Sequence, residues 1–509
     1  MHRNVLPLAL CLGATLAQGQ TGNTGLQSAG FNSTFTLSQA QISAANLSEG
    51  EASDVENAVR FAESLLANGG PAADDFYTLP ELDNASSTLK PGVLLKVQDY
   101  TDPTSFTLAP NTALSRILYT TTNLNGTVVP ASAFVLWPFQ PRVFTSSSSS
   151  TDASDDGQAE QKKAPVVLWY HGTSGFFAPQ APSTHRALYY GHEAPFTLAL
   201  DGYAVVAPDY AGLGVQASWD GSAVPHQYLM SRISAADGLY ALRAARAAFP
   251  DQLADEFVAF GQSQGGGVAW GTAEVLAGAN ESDTDFDFAD LLLAYRGAIA
   301  TSPVTKMFTG DPHLILPWVT LYLPAVFPSF NIADWLTPLG IARTQLLREV
   351  EGDVGVSQQL YLADKVIQDS WNETWYVDAL NALANVGSRP IAGPLLVIHG
   401  SIDTVVSPEV TSLTVNETFA YFASAGIADA NLEYLVVDGA GHVPALDATR
   451  PLWLQWIRDR FEGRPLENPG CVTRTLDSWL PISRYLAVGN SYPQWAGAPE
   501  YAYETPLGP

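Results

Sequence analysis

Apolar residues along the chain come in short continuous runs set off by polar turns. They read RILYTT (116–121), ASAFVLW (131–137), PVVLWY (165–170), YAVVAP (203–208), FVAF (257–260), GAIA (297–300), LLVIH (395–399) and LEYLVV (432–437). The later runs, short and continuously apolar, predict strands covered on both faces. Between them the period lengthens to that of a helix, notably over 228–249 and 265–278. Such alternation predicts a mainly parallel sheet with helices on both sides. The pattern breaks over 305–392, which is helix-like, aromatic-rich and interrupted by proline, and is expected to form a helical cap inserted between two strands. Polar tracts mark the rest: Thr21 to about Asn46 reads as a mobile arm, and SSSSSTDASDDGQAEQKK (146–163) as a disordered surface loop. The expected order is a leader (1–17), a polar arm (18–69), a core in two parts (70–304 and 393–463) around the cap, and a tail (464–509).

The run FVAF leads directly into Gly261-Gln262-Ser263-Gln264-Gly265, and a helical stretch follows. Strand, glycine-flanked serine and helix together form a nucleophile elbow, in which the missing Cβ atoms let strand and helix close on each other and lift the serine out of the turn. Without that context the motif is only a glycine-rich turn. A serine hydroxyl needs a base, and behind such an elbow the partners follow in the order acid, then histidine. His442, in DGAGHVPA after LEYLVV, has the order and loop setting of the base. His399, inside LLVIHG and ahead of the acid, reads as a structural residue ending a strand. Asp403, on the loop after LLVIHG, is the expected acid; its rival Asp438 closes the strand next to His442 itself. Donors for an oxyanion are expected from the backbone of Gln264 and from WYHGTSG, around His171, Gly172 and Thr173.

Composition narrows the setting. The 509-residue chain carries a formal net charge of −27 and has a sequence pI near 4.4, a balance that repels phosphate backbones and excludes nucleic acid as a natural partner. The start MHRNVLPLALCLGATLAQGQ has a basic residue, an apolar stretch and small residues near Ala17, the build of a secretory leader; a short buried helix is the alternative. Seven N-x-S/T sites agree with export: Asn32, Asn46, Asn84, Asn125, Asn280, Asn372 and Asn416. With Cys11 inside the leader, Cys471 stands alone and no internal disulfide is expected. The most apolar stretch, 312–330, contains four prolines and is not expected to span a bilayer. It could instead line an acyl channel, touch a lipid surface, or simply pack on the core.

Beyond the elbow, DDFYTLP (74–80), WYHGTSG (169–175), DGYAVVAPDYAGLG (201–214), HQYL (226–229) and GQSQGG (261–266) together resemble the secretory lipase family, lipase A-like enzymes of the α/β-hydrolase superfamily, over about residues 70–463. The resemblance implies an α/β-hydrolase fold with a helical cap, a Ser263–Asp403–His442 triad, no cofactor or metal, and cleavage of carboxylic esters. The serine-rich loop and the tail beyond 463 are not part of that pattern. The expectation is therefore a secreted serine hydrolase that forms an acyl-enzyme from small-molecule or lipid esters of medium or long acyl chains. Alternatives are a short-chain acetyl esterase, a lactonase, a peptide-cleaving enzyme, and a non-catalytic binding protein of the same fold.

Overall fold

In the computed structural model, which describes residues 34–82, 89–144, 163–278, 288–309, 312–361 and 365–485, the apolar runs assemble into one ten-stranded sheet. Its strands are β1 (Leu94–Gln98), β2 (Ala113–Thr122), β3 (Val128–Trp137), β4 (Ala164–Tyr170), β5 (Ala204–Pro208), β6 (Leu253–Gln262), β7 (Tyr295–Thr301), β8 (Leu395–Gly400), β9 (Leu432–Val437) and β10 (Cys471–Leu476). The spatial order is β1-β2-β3-β5-β4-β6-β7-β8-β9-β10, antiparallel from β1 to β5 and parallel from β5 to β10.

Every residue of β4 is buried, because the sheet is covered on both faces. Val166, Leu168 and Tyr170 join the core beneath helices Ser231–Ala248 and Gln264–Ala277. Val167 and Trp169 point the other way, toward helices Pro195–Leu200 and Arg450–Phe461. Two strands carry no apolar run in the sequence, β1 and β10. Both lie at sheet edges, and β10 alternates exposed with half-buried positions, so nothing selects for a continuous apolar stretch there.

Between β7 and β8 the chain forms helices Pro312–Thr320, Leu323–Val326, Pro338–Glu349, Val354–Tyr361 and Trp375–Ala384. Leu316, Trp318, Val319, Tyr322 and Leu323 of the apolar stretch are buried among them, so its hydrophobic side chains pack inward. Residues 34–46, expected to be mobile, are ordered instead. Ser38 and Ser48 form capping boxes at the starts of helices Gln39–Ala44 and Glu49–Ser64, and Leu37, Ala45, Leu47, Val55 and Val59 enter the core of the inserted helices. A tract that looks polar by composition is thus held by a few apolar side chains that find partners some 300 residues away. Glu51 also pairs at 2.7 Å with Arg343, which is buried and donates to the Leu360 carbonyl oxygen.

The tail adds β10 beside β9, and its helix Ile482–Tyr485 packs Ile482 over Gly439, in the loop that leads to His442. Asn46, Asn125, Asn372 and Asn416 are exposed; Asn32, Asn84 and Asn280, the leader with Cys11, and nearly all of the serine-rich loop fall outside the described residues. Cys471 is exposed. No described helix is long and apolar enough to cross a membrane.

Candidate active site

Ser263 stands between β6 and helix Gln264–Ala277 at φ 59°, ψ −120°, a strained conformation for a residue with a side chain. The close approach demands glycine on both sides. A Cβ on Gly261 would meet the Gly265 carbonyl oxygen at 2.0 Å, and one on Gly265 would meet that of Tyr170 at the same distance. The strain is held by backbone hydrogen bonds: Ser263 N–H donates to Thr301 O at 2.9 Å, and Ser263 O accepts from Val304 N–H at 3.1 Å.

The loops after β8 and β9 meet beside this turn. Neighbouring strands lie about 4.8 Å apart, so loops from β6, β8 and β9 begin within about 15 Å of one another. Asp403 Oδ2 lies 2.7 Å from His442 Nδ1. Asp403 accepts only, so Nδ1 carries the proton and Nε2 keeps its lone pair. The carboxylate is buried, whereas the His442 side chain keeps 9% exposure. Asp403 Oδ1 accepts from Val405 N–H (2.8 Å) and Val406 N–H (3.0 Å). Burial alone would raise this carboxyl; hydrogen bonds from His399 and His442, the His442 charge and the backbone amide outweigh it and hold it well below the usual carboxylate range. Ser302, at the end of β7, links the two sides. Its Oγ donates to His442 O at 2.8 Å, its N–H to Ile398 O, and its neighbour Thr301 anchors Ser263.

The loop after β4 approaches from the other side. Gly172 packs where a Cβ would meet Gln262 Oε1 and the Tyr190 ring, and the Thr173 carbonyl accepts from Tyr190 O–H at 2.6 Å. Thr173 Oγ1 lies 2.8 Å from the Tyr228 hydroxyl. Gln264 begins its helix, and its side-chain amide donates to His226 Nε2 at 3.2 Å, which leaves His226 Nδ1–H for Ala211 O. Burial pushes His226 down to about 4 and His171 to about 3, so both rings are neutral. The His171 ring lies against the Gly172 and Asp209 carbonyl oxygens and stacks on Tyr210. The HQYL segment therefore braces both Gln264 and Thr173. In the sequence this segment stands out only through the family resemblance, since its partners lie on other elements.

Fold and geometry together define an α/β-hydrolase. The chain belongs to the serine aminopeptidase (S33) family, Hydrolase_4, whose pattern matches residues 187–443. In fold it is similar to Candida antarctica lipase A in its closed state, at 17% identity and TM-score 0.55, covering 83% of this chain and 95% of that one. It is also similar to a variant of the rice cell wall degrading esterase LipA from Xanthomonas oryzae, at 17% identity and TM-score 0.50, covering 73% of this chain and all of that one. No curated protein sequence matches. The chain is thus a hydrolase with a lipase- and esterase-like fold, as the resemblance implies.

Proposed function

We propose that the chain is a secreted carboxylic ester hydrolase in which Ser263, His442 and Asp403 form the catalytic relay. The observation that carries this reading is the pairing of a strained serine elbow with an adjoining His442–Asp403 hydrogen bond of 2.7 Å, bridged by Thr301 and Ser302. Ser263 Oγ attacks the ester carbonyl while His442 Nε2 takes its proton, and Asp403 stabilises the imidazolium. The tetrahedral oxyanion is held by the Gln264 amide, at the positive end of its helix, and by an amide of the His171–Gly172–Thr173 turn. His442 then protonates the leaving alcohol, and water releases the acyl-enzyme by the reverse proton path. The helices of 305–392 act as a cap. Their Trp318 packs against Phe176 and Tyr228 with ring centroids 5.0 and 5.5 Å apart, a buried aromatic cluster whose Tyr228 hydroxyl meets Thr173, and the apolar character of this insertion supports medium or long acyl chains as substrates. Export is supported by the leader-like start and by the four exposed asparagines of the glycosylation pattern.

The test is fluorophosphonate labelling combined with hydrolysis of aryl esters of increasing acyl length, in wild type beside Ser263→Ala. Labelling at Ser263 and a maximum at medium or long acyl chains are expected. A maximum at acetyl or butyryl removes the long-chain assignment, and labelling that survives Ser263→Ala removes the relay. The family match favours one second reading, release of amino-terminal residues from peptides. Hydrolysis of aminoacyl anilides in preference to esters would establish it.

A further inference from the structure

We infer that His399 is a positioning residue for the proposed relay, a second imidazole that holds the Asp403 carboxylate in place and shares its charge. This rests on the assignment of Asp403 and His442 made above. His399 is the penultimate residue of β8, and its side chain is fully buried. Its Nε2 lies 3.0 Å from Asp403 Oδ2, the oxygen that also receives His442 Nδ1–H, and 3.1 Å from Val406 O. Both neighbours of Nε2 are acceptors, so Nε2 carries the hydrogen. Nδ1 is buried with no hydrogen-bond partner, and an imidazolium there would strand a second N–H. The ring therefore aims one donor between the carboxylate and a backbone carbonyl.

Oδ1 is pinned by the Val405 and Val406 amides and Oδ2 by the two imidazoles, so the carboxylate cannot rotate away from His442. At the same time the His399 N–H draws charge from Oδ2 and weakens its hold on a protonated His442. The titratable groups facing His399 are Asp403, His442 through the shared oxygen, and Glu409 at the exposed start of helix Pro408–Ala425. Removing the donor frees Oδ2 charge for His442, which raises the affinity of His442 for a proton, and loosens the carboxylate.

The experiment measures kcat/KM against pH on an activated ester for wild type, His399→Phe and His399→Gln, with fluorophosphonate titration to count working sites. Glutamine keeps an N–H donor close to the Nε2 position; phenylalanine keeps the ring and loses the donor. In His399→Phe the acid limb is expected to move up by about half a pH unit to one unit, and kcat/KM at the plateau to fall about tenfold. His399→Gln is expected to return the limb to its wild-type position and most of the rate. An unmoved limb in His399→Phe, whether or not the rate falls, overturns the proposal. Should that variant not fold, proton NMR decides it: a downfield imidazole N–H resonance that persists in His442→Ala supports the His399–Asp403 bond, and its absence overturns it. Wild type that hydrolyses no ester and takes no label at Ser263 would instead overturn the functional assignment.

Discussion

Asp237 shows how far a single residue can sit from the behaviour its type suggests. It lies fully buried on helix Ser231–Ala248, accepting from Thr121 Oγ1 at 2.7 Å and from Ala211 N–H at 3.1 Å. Burial dominates over both hydrogen bonds and pushes its carboxyl up to about 7 from 3.8. The folded chain therefore keeps this proton over a pH range in which the unfolded chain has lost it, so stability is full below about 4 and declines as pH rises toward 7. Glu274, buried beside Arg232 and raised to about 7, acts in the same direction. Thermal midpoints measured from pH 4.5 to 7.5 should fall in wild type, and Asp237→Asn should remove a part of that slope on the order of 2–4 kcal/mol. An unchanged slope would mean the carboxylate stays ionised in the fold. Asp403 is the opposite case, buried yet held ionised by its donors. Asp403→Asn keeps the size and loses the charge, and should cut kcat by about 10⁴-fold with fluorophosphonate labelling slowed in parallel; a loss below tenfold would assign the acid elsewhere.

Among the elements, helix Glu49–Ser64 carries more than its local sequence suggests. Its Ser48 cap accepts from the Glu51 N–H, while the Glu51 carboxylate accepts from the Ser48 N–H and hydroxyl and reaches Arg343 of the inserted helices. The Ser48 backbone and side-chain donors, ahead of Arg343, bring Glu51 down to about 2. Ser48→Ala removes the cap and should cost about 1 kcal/mol in chemical denaturation, with kcat unchanged because the bonds it removes join Ser48 to Glu51 alone and touch no residue of the proposed relay. The same helix places Val55 and Val59 in the core shared with Leu346 and Leu360, so deletion of residues 34–65 should expose that core and raise dye binding. The apolar side chains that fix this pairing have their partners on the inserted helices, which is why the segment looks unstructured when read alone.

At the scale of the whole molecule, the proposed active region lies where loops from β6, β8 and β9 emerge at one end of the sheet, with the tail closing one flank. β10 covers the edge of β9, Asp438 N–H donates to Leu476 O, and Ile482 covers Gly439. Ser401 Oγ accepts from Gly439 N–H and donates to Asp438, so the turn before His442 is held from two sides. Truncation after residue 465 should leave β9 as an open edge and loosen this turn. The expected result is at least a tenfold loss of kcat (about 1.4 kcal/mol of positioning) together with aggregation seen by light scattering. Full activity in a soluble truncated chain would show that the tail does not support the His442 loop.

The sequence by itself determined the features written in adjacent residues. Eight apolar runs marked the covered strands, since a strand buried on both faces must be apolar throughout, and the glycine-flanked Ser263 marked the elbow, since only glycine tolerates that approach. Asp403 and His442 stood out because each follows such a run on a short loop. Only the tertiary structure decided which groups became partners. It gave His399 a carboxylate to hold and His226 an amide to accept from. It also gave the polar N-terminal helices a core to enter, and edge positions to β1 and β10, whose weak patterns match their exposure. The reason is that strand and helix periodicity is local, whereas a hydrogen bond or a packed contact between distant segments exists only once the sheet has brought them side by side.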